Sequence, residues 1–430
     1  MPKRNLIWIA AILVAVLVLI LIGRGPRSPM AIYNSHHQPV ALVAKAIQDD
    51  CLWPVDGPAL ETAGIEAMVR AVDHGWTRWV PGEGARRLSE HLTGQAYGTG
   101  MVVAQIDRTW VIQQVAFDSP AWRAGLRAED RISTINGHPA ATGDDVPAGL
   151  LDGSLRQAVT LTLAGDFEAR EITVKPGKYD LQSVMGLWRD GEGQWVHFLD
   201  DDSEYAYIRI AEFTDRSESE LNDAFRGLDN AEGLILDLRG NPGGPLAAVL
   251  AVADMFQFEG TIVHIASRDK VRAHTANRRA VWPDKPVVIL INRETASAAE
   301  LLAGALQHVD RAQLVGQPTD GKRFIQTVVP IEQAGHLVLT TGYYAFQPIP
   351  VDIKGKPLIA YQGLVPILPD AFVAFDDAQW DNLQRLWLAS DIPATFATED
   401  GPTLQTTMIL EIDSELQVAL ARLMEQCNDE

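Results

Sequence analysis

Two residues in the second half of the chain are of types that could together hydrolyse an amide bond. Ser297 lies in the segment TASAAE, and Lys322 lies in the segment TDGKRFIQ. A serine hydroxyl becomes a nucleophile when a base takes its proton, and a lysine is such a base only when its amine is neutral. Burial or a nearby cation lowers a lysine pKa far enough for this. Taken alone, Ser297 also fits an ordinary helix N-cap, and Lys322 fits a solvated turn.

A third segment could stabilise the negative oxygen that forms when a serine attacks a carbonyl. Residues 239–244 read RGNPGG and lie between an apolar run and a helical pattern. Glycines allow positive φ and close approach of a ligand, and helix N-termini offer unpaired N–H groups. The alternative is a plain strand-to-helix turn. A phosphate-binding loop is excluded because the GxxxxGK[ST] spacing is absent.

The elements that must position these segments alternate between strands and helices from about residue 185 to residue 370. Strands are predicted at 204–210, 233–238, 286–292 and 324–329, and helices at 217–228, 245–256 and 298–308. This pattern predicts a sheet covered by helices, with all three segments at strand ends.

The rest of the chain divides by pattern. Residues 95–178 are rich in strand signals, with strands predicted at 111–115, 130–138 and 158–163 and a short helix at 119–126. Residues 41–94 have a helical pattern, residues 391–412 look irregular, and residues 413–426 form an amphipathic helix.

Together the three segments resemble the carboxyl-terminal processing peptidases, also called tail-specific proteases, a serine–lysine peptidase family. The family motifs LDLRxNxGG, SASASE and GKGxxQ correspond to LDLRGNPGG at 236–244, TASAAE at 295–300 and GKRFIQ at 321–326. Lys322 and Gln326 follow Ser297 by 25 and 29 positions, which are the family's intervals. Three motifs in order at fixed spacing make the resemblance specific.

The resemblance implies an α/β fold, with a crotonase/ClpP-like protease core, an inserted β-rich PDZ domain and helical N- and C-terminal segments. The expected parts are a cytoplasmic tip and transmembrane anchor (1–28), a linker and helical segment (29–94), the PDZ domain (95–178), the peptidase core (179–390) and a C-terminal tail and helix (391–430).

The resemblance also implies roles for single residues. Ser297 would be the nucleophile, Lys322 the general base, and Gln326 the residue that orients the lysine amine. The N–H of Ala298, with that of Gly243 or Gly244, would hold the oxyanion, and sequence does not choose between the two glycines.

In the PDZ domain, the loop Tyr97, Gly98, Thr99, Gly100 and Met101 would bind the C-terminal carboxylate of a protein substrate. No metal, nucleotide or other cofactor is implied.

The chain departs from the family pattern beside the expected base. Arg323 replaces a glycine, Asp320 replaces an aromatic residue, and Ala299 replaces a serine. A cation at Arg323 would push Lys322 toward its neutral form.

The N-terminus predicts a membrane anchor. Residues 6–22 are apolar throughout and Gly23 extends the run, which at 1.5 Å per residue covers about 26 Å of a bilayer core. A removed signal peptide is the alternative. The flanking positive charges are nearly balanced, so orientation comes from the resemblance. It implies an inner-membrane, single-pass protein with its body in the periplasm, a homo-oligomer that works with an adaptor protein.

Composition limits the partners. Acidic residues outnumber basic ones by 56 to 36, for a net charge of -20, which disfavours nucleic acid. The two cysteines, Cys51 and Cys427, are either unpaired thiols or a disulfide between the ends of the body.

Two alternatives to a peptidase remain open at this point: a catalytically inactive membrane-tethered PDZ scaffold, and an acyl-CoA enzyme of the crotonase type.

Overall fold

A computed structural model of the chain describes residues 43, 47–48 and 56–429, except for 73–74, 107–108, 141–147, 152–154, 165–169, 200–203, 258, 278–279, 283, 333, 359–363, 392–409 and 411. The chain divides into two compact units, Met1–Trp79 and Val80–Glu430. The first contains helix α1 (Gly57–Arg70), which has a proline in its first turn, where the missing N–H breaks no helical hydrogen bond.

The other helices are α2 (Gly82–Thr93), α3 (Pro120–Arg123), α4 (Ala148–Leu151), α5 (Ser217–Phe225), α6 (Leu246–Phe256), α7 (Ala298–His308), α8 (Asp377–Ser390) and α9 (Ser414–Asp429). The strands are β1 (Arg78–Pro81), β2 (Gln95–Gly98), β3 (Met101–Ile106), β4 (Thr109–Val115), β5 (Arg131–Ile135), β6 (His138–Pro139), β7 (Val159–Leu163), β8 (Arg170–Val174), β9 (Gly177–Asp180), β10 (Val184–Met185), β11 (Trp188–Arg189), β12 (Trp195–Val196), β13 (Tyr205–Ile210), β14 (Gly233–Asp237), β15 (Thr261–Ser267), β16 (Val271–Thr275), β17 (Val287–Ile291), β18 (Gln313–Gly316), β19 (Phe324–Ile331), β20 (Gly335–Ala345) and β21 (Ala371–Phe372).

The central sheet has the strand order β10-β13-β14-β17-β18-β21, and the strands from β13 to β21 run parallel. Successive side chains of a strand point to opposite faces, so a strand buried on both faces is apolar at every position. In β14, Leu234 and Leu236 pack with residues of α6 and α7, whereas Ile235 packs on Leu416 and Leu423 of α9. The core is therefore three layers: helices, parallel sheet and helix.

A second, antiparallel sheet carries the segment after the expected base. The hairpin β19–β20 pairs along its length, and β20 also pairs with β15, which pairs with β16. The register shifts between Ile325 and Gln326, so β20 contributes one extra residue beside Gln326.

A third sheet of antiparallel strands, β3-β4-β5-β7-β8 with β6 on β5, forms the β-rich module and encloses its own apolar core. Strand β2 pairs with β9, so the chain enters and leaves this module through adjacent strands. The short helix α3 begins at Ser119, whose hydroxyl accepts a hydrogen bond from Trp122 N–H at 3.2 Å.

Arg189 joins the β-rich module to the α/β core. Its guanidinium lies 3.9 Å from the ring centre of Phe117 in the module and 4.0 Å from that of Trp195 in the core. Its Nε donates to Asp391 at 2.7 Å. This buried stack of one cation between two rings fixes the two parts against each other locally.

A buried charge cluster ties α9 to the sheet. The Arg239 guanidinium donates to Asp237, Asp413 and Glu415, and Tyr207 also donates to Asp237, at distances from 2.6 to 3.1 Å. All five side chains are buried. The last strand residue before the glycine-rich loop is thus fixed by the C-terminal helix.

The predicted core elements are confirmed, since β13, β14, β17 and β19 and α5, α6 and α7 lie where the pattern put them. The predicted strands of the β-rich module and the last helix are confirmed as well. The helical prediction for residues 41–94 is wrong in part. Strand β1 interrupts it, because Trp79 and Val80 favour an extended backbone and pack only partly.

Residues 6–23, the predicted membrane anchor, lie outside the described residues, and so does Cys51. The membrane anchor and the question whether Cys51 and Cys427 form a disulfide therefore stay predictions. None of the helices in the described part of the chain has the length and apolar character needed to cross a membrane.

Candidate active site

The three chemistry-bearing segments follow adjacent parallel strands. Residues 238–244 follow β14, residues 292–297 follow β17, and residues 317–322 follow β18. Because parallel strands place their carboxyl ends at one edge of the sheet, the segments meet there.

Backbone and side-chain hydrogen bonds hold these segments together. Ala296 N–H donates to the Asn241 carbonyl at 2.9 Å, which joins the first segment to the second. Asp320 N–H donates to the Thr295 carbonyl at 3.1 Å, which joins the second to the third. The Thr295 hydroxyl, which is fully buried, donates to the carbonyl of Leu238 at 2.9 Å. The edge is a single bonded unit rather than three independent turns.

Ser297 has an unusual backbone conformation. Its φ is 54° and its ψ is -112°, directly before α7. An N-cap serine ordinarily has an extended backbone, and a side chain at positive φ is rare and costs free energy. Such strain at a sharp strand-to-helix turn is typical of an exposed nucleophile. Ser297 is half-buried and therefore remains accessible at this edge.

Glu300 connects the serine turn to the lysine turn. Its Oε2 accepts a hydrogen bond from Ser297 N–H at 2.8 Å. Its Oε1 accepts from Gly321 N–H at 2.7 Å and from the Thr319 hydroxyl at 2.5 Å. The carboxylate is fully buried, and burial raises its pKa against the opposing effect of these donors. One side chain thereby sets the separation of the two turns.

Lys322 follows Gly321 directly, and both Lys322 and Gln326 are half-buried. The buried ring of Tyr344 lies between this segment and the serine. Its hydroxyl donates to the Ser297 carbonyl at 3.1 Å, and its N–H donates to the Arg323 carbonyl at 3.1 Å. Glu300 and Tyr344 thus each connect the turn that carries Lys322 to the turn that carries Ser297, and the catalytic roles of Lys322 and Ser297 stay predictions.

Gly243, the first glycine of the pair Gly243–Gly244, lies against Ser297. A methyl group added to Gly243, which has a φ of 106°, would lie 2.9 Å from Ser297 Cβ and 3.0 Å from Ala298 N. Gly243 N–H donates to the Asn241 side chain at 2.8 Å. In the described part of the chain, the N–H groups of Gly244 and Ala298 have no acceptor. Gly244 has a φ of 150° and lies against the Phe213 carbonyl.

The departures from the family pattern have distinct environments. Asp320 is exposed, and Ala299 is buried in the first turn of α7. The Arg323 guanidinium carbon lies 5.3 Å from the ring centre of Phe346. Arg323 is therefore directed toward the end of β20, and its predicted effect on Lys322 stays a prediction.

The predicted carboxylate-binding loop of the β-rich module is largely buried. Gly98, Thr99, Gly100 and Met101 are buried, and Tyr97 is half-buried. A methyl group on Gly100 would lie 2.2 Å from Ser119 Cβ and 3.3 Å from the Tyr179 ring. Ser119 and Tyr179 therefore lie close to Gly100.

Within the described residues, no cluster of three or more histidine, cysteine, aspartate or glutamate side chains is arranged to hold a metal ion. The arrangement provides a strained serine, a lysine in the neighbouring turn and two open amides. These are the parts of nucleophilic acyl transfer.

The sequence profile of Peptidase family S41 matches residues 204–357, and that of a PDZ domain matches residues 111–165. The α/β fold and these matches define a class of protein, a peptidase of family S41 with a PDZ domain. A protease with a PDZ domain has proteins as its substrates.

The carboxyl-terminal-processing protease of Synechocystis sp. is 32% identical over 356 residues, which cover 79% of this chain and 81% of that protein. The carboxy-terminal-processing protease of Bartonella bacilliformis is 28% identical over 333 residues, which cover 75% of this chain and 73% of that protein. The chain belongs to the carboxyl-terminal processing proteases of family S41.

Among solved structures, the photosystem II D1 C-terminal processing protease aligns with 78% of this chain and 86% of its own, at 25% identity and a TM-score of 0.41.

Sequence reasoning gave no role to two residues that organise the site. Glu300 lies three positions after Ser297, and the S-x-x-E spacing of a capping box is a readable signal for its bond to the Ser297 N–H. Tyr344 has no such signal, because only the pairing of β20 with β19 brings it to the serine.

Proposed function

We propose that the chain is a membrane-anchored periplasmic serine endopeptidase that cleaves or degrades proteins from their C-terminal tails. The single observation that carries this proposal is the Glu300 carboxylate, which binds the N–H of Ser297 and the N–H of Gly321 at once. This arrangement supports a serine and a lysine acting at one carbonyl carbon.

In the proposed reaction, the Ser297 Oγ–H proton passes to neutral Lys322, and Oγ forms a bond to the substrate carbonyl carbon. The C–N bond then breaks, and the leaving amine takes its proton from Lys322. Water hydrolyses the acyl-enzyme with the same lysine as base. Gln326 orients the lysine amine through its carboxamide.

The amides of Ala298 and Gly244 are the proposed oxyanion donors, because both N–H groups lack an acceptor among the described residues, whereas the Gly243 N–H is engaged by Asn241. Gly244 N is bonded to the carbonyl carbon of Gly243, whose Cα faces the serine. Removing one such donor typically costs about 2.7–4 kcal/mol of transition-state stabilisation.

An exposed apolar border beside the lysine turn supports a polypeptide substrate. Val365 N–H donates to the Gly321 carbonyl at 3.0 Å. Leu364, Val365 and Leu368 are 52%, 43% and 65% exposed. Exposed apolar side chains grouped beside a reactive site are typical of a surface that binds another chain.

The PDZ loop of Tyr97, Gly98, Thr99, Gly100 and Met101 is the proposed binding site for the substrate's C-terminal carboxylate, with the tail added as a strand. Ser119 and Tyr179 lie close to Gly100 of this loop.

Residues 6–23 are the proposed inner-membrane anchor, with the body in the periplasm. A homo-oligomer and an adaptor protein belong to the same proposal. We also propose that the core has a crotonase/ClpP-like fold and that Ser297 and Lys322 form a catalytic dyad.

The test compares wild type, Ser297→Ala and Ser219→Ala, the last a control at an exposed helical serine. We expect wild type and Ser219→Ala to react with a serine-directed phosphonate probe and to cleave an unstructured protein, and Ser297→Ala to do neither. Undiminished cleavage by Ser297→Ala would refute the assignment. Labelling of none of the three would favour the PDZ scaffold, and turnover of an acyl-CoA thioester would favour the crotonase-type enzyme.

A further inference from the structure

A cavity of about 330 Å³ lies beside the last turns of α7. Phe346 contributes a wall, since a methyl group on Gly304 would lie 2.4 Å from its ring. Arg323 and His308 also line the cavity. The volume is at the lower end of the range of ligand pockets, about 300–1,000 Å³.

Two basic side chains gather around one aromatic ring in this cavity. The Arg323 guanidinium carbon lies 5.3 Å from the centre of Phe346, and the His308 ring centre lies 6.2 Å from it. Arg323 Nε is buried without a hydrogen-bond partner in the described part of the chain, and none of the ion pairs among the described residues includes Arg323. An unsatisfied guanidinium group at a cavity is a site for an anion.

The acidic residue in the cavity lining, Asp370, forms no ion pair with this arginine among the described residues. Asp370 Oδ1 accepts a hydrogen bond from Gln307 at 3.0 Å, and its Oδ2 accepts from Leu314 N–H at 2.8 Å. Both of its oxygens therefore accept hydrogen bonds from neutral donors rather than from Arg323. In a chain with a net charge of -20, an unpaired arginine at an open cavity is an unusual local feature.

The position of the cavity relates it to the scissile bond. Gly304 and His308 follow Ser297 by seven and eleven positions in one helix, or about 10 and 16 Å at 1.5 Å per residue. An extended chain covers this distance in about three to five residues at 3.3 Å each. The exposed side chain of Leu368 lies on the cavity wall, so an extended substrate has apolar contacts near the cavity.

We propose that Arg323, with His308 and Phe346, forms a subsite for a carboxylate of the substrate chain about three to five residues from the cleaved bond. The carboxylate belongs either to an acidic side chain or to the substrate's C-terminus. This inference rests on the proposed endopeptidase activity, and it makes Arg323 a residue that determines specificity.

The experiment uses the full chain and a peptide that the wild type cleaves at one bond. Glu or Gln is placed three, four or five residues from that bond on either side, and each peptide carries a free or an amidated C-terminus. We expect kcat/KM to favour one carboxylate-bearing peptide over its amide counterpart by about tenfold, the size of a charge-assisted hydrogen bond. Preference for Glu identifies a side chain, and preference for the free terminus identifies the tail.

The variants separate the subsite from general damage. For each variant, the ratio of kcat/KM for the carboxylate peptide to kcat/KM for the amide peptide is measured. We expect a ratio close to one for Arg323→Gln and an intermediate ratio for Arg323→Lys. Arg268→Gln, at an exposed turn, is the control and should keep the wild-type ratio. Because the ratio is taken within each variant, a general loss of turnover cancels. An equal ratio in wild type and Arg323→Gln, or a ratio of one in wild type, overturns the proposal.

A binding measurement makes failure of the subsite distinct from failure of the peptidase. Ser297→Ala and Ser297→Ala/Arg323→Gln are titrated with the same peptides carrying a fluorescent label. Tighter binding of the carboxylate peptide by about tenfold, lost in the double variant, supports the subsite even where the wild type cleaves none of the peptides. Equal binding of both peptides by Ser297→Ala contradicts it.

Discussion

Glu300 Oε1 lies 2.7 Å from the backbone nitrogen of Gly321, 21 positions away in the chain. The carboxylate is fully buried in the first turn of α7, so the helix that begins at the serine also fixes the turn that carries the lysine. The two turns cannot separate without leaving a buried carboxylate with fewer donors, which is costly. The relationship makes Glu300 a positioning residue whose effect on the reaction passes through Ser297 and Lys322.

Glu300→Gln tests this relationship. Glutamine keeps only one acceptor oxygen, so its NH2 group must face either the Ser297 N–H or the Gly321 N–H. Two hydrogen-bond donors then face each other, and the backbone N–H loses its acceptor. We expect kcat to fall by at least about tenfold and the free energy of unfolding to fall by about 1–3 kcal/mol, the cost of an unsatisfied buried donor. Peptidase assays and urea unfolding measure the two quantities.

Glu332→Gln, at an exposed position in the β19–β20 hairpin, is the matched control and should change neither quantity. The pH profile of kcat/KM separates positioning from mere loss of stability, because a displaced lysine turn shifts the profile. Wild-type kcat and an unchanged profile in Glu300→Gln would contradict the role of Glu300.

Tyr344→Phe removes the hydroxyl that donates to the Ser297 carbonyl at 3.1 Å and keeps the buried ring. The strained backbone of Ser297 then loses one support from β20. We expect kcat to fall several-fold with little change in KM, and stability to fall by about 1 kcal/mol. Tyr343→Phe, one position earlier in the same strand and on its other face, is the control. Equal kcat in both variants would remove Tyr344 from the site.

Gly243→Ala should lower the rate of cleavage by roughly 100-fold while the protein remains folded. The new methyl group would lie 2.9 Å from Ser297 Cβ at a φ of 106°, so the serine turn must shift. A misplacement of about 1 Å can cost roughly 100-fold in rate. Gly227→Ala, whose methyl group would meet nothing closer than 3.7 Å, is the control. Wild-type labelling by the phosphonate probe in Gly243→Ala would show that the predicted clash is harmless.

The C-terminal helix makes stability depend on pH. Burial, together with the nearby charges of Asp413 and Asp237, raises the pKa of Glu415 to about 7 despite its bond to Arg239. A carboxyl group with a raised pKa in the folded state binds more protons folded than unfolded. Its contribution to stability is therefore full below its ordinary pKa and falls as the pH rises to about 7.

Glu415→Gln removes this titration and keeps an acceptor for Arg239. Between about pH 5 and pH 8, we expect the unfolding free energy of the variant relative to wild type to rise by about 2.5 kcal/mol. Using the difference between the two proteins cancels the other groups that titrate in this range. A difference that is constant with pH would mean that Glu415 titrates at its ordinary pKa.

The local elements follow from local patterns. The apolar run of β14 and the helical pattern of α7 were readable because burial on both faces of a strand and on one face of a helix leaves distinct periodicities. The position of Ser297 at a strand-to-helix turn was readable for the same reason. The short strand β1 was missed because four residues carry too little periodicity to outweigh a helical neighbourhood.

Spacing along the chain determined which residues belong to the site, because Ser297, Lys322 and Gln326 stand at intervals that can be counted. Only the tertiary structure decided what joins them: the Glu300 carboxylate between two turns, the Tyr344 hydroxyl on the serine carbonyl and the direction of Arg323 toward Phe346. These contacts depend on strand pairing and helix packing between residues far apart in sequence, and a local pattern carries no record of which distant atoms will meet.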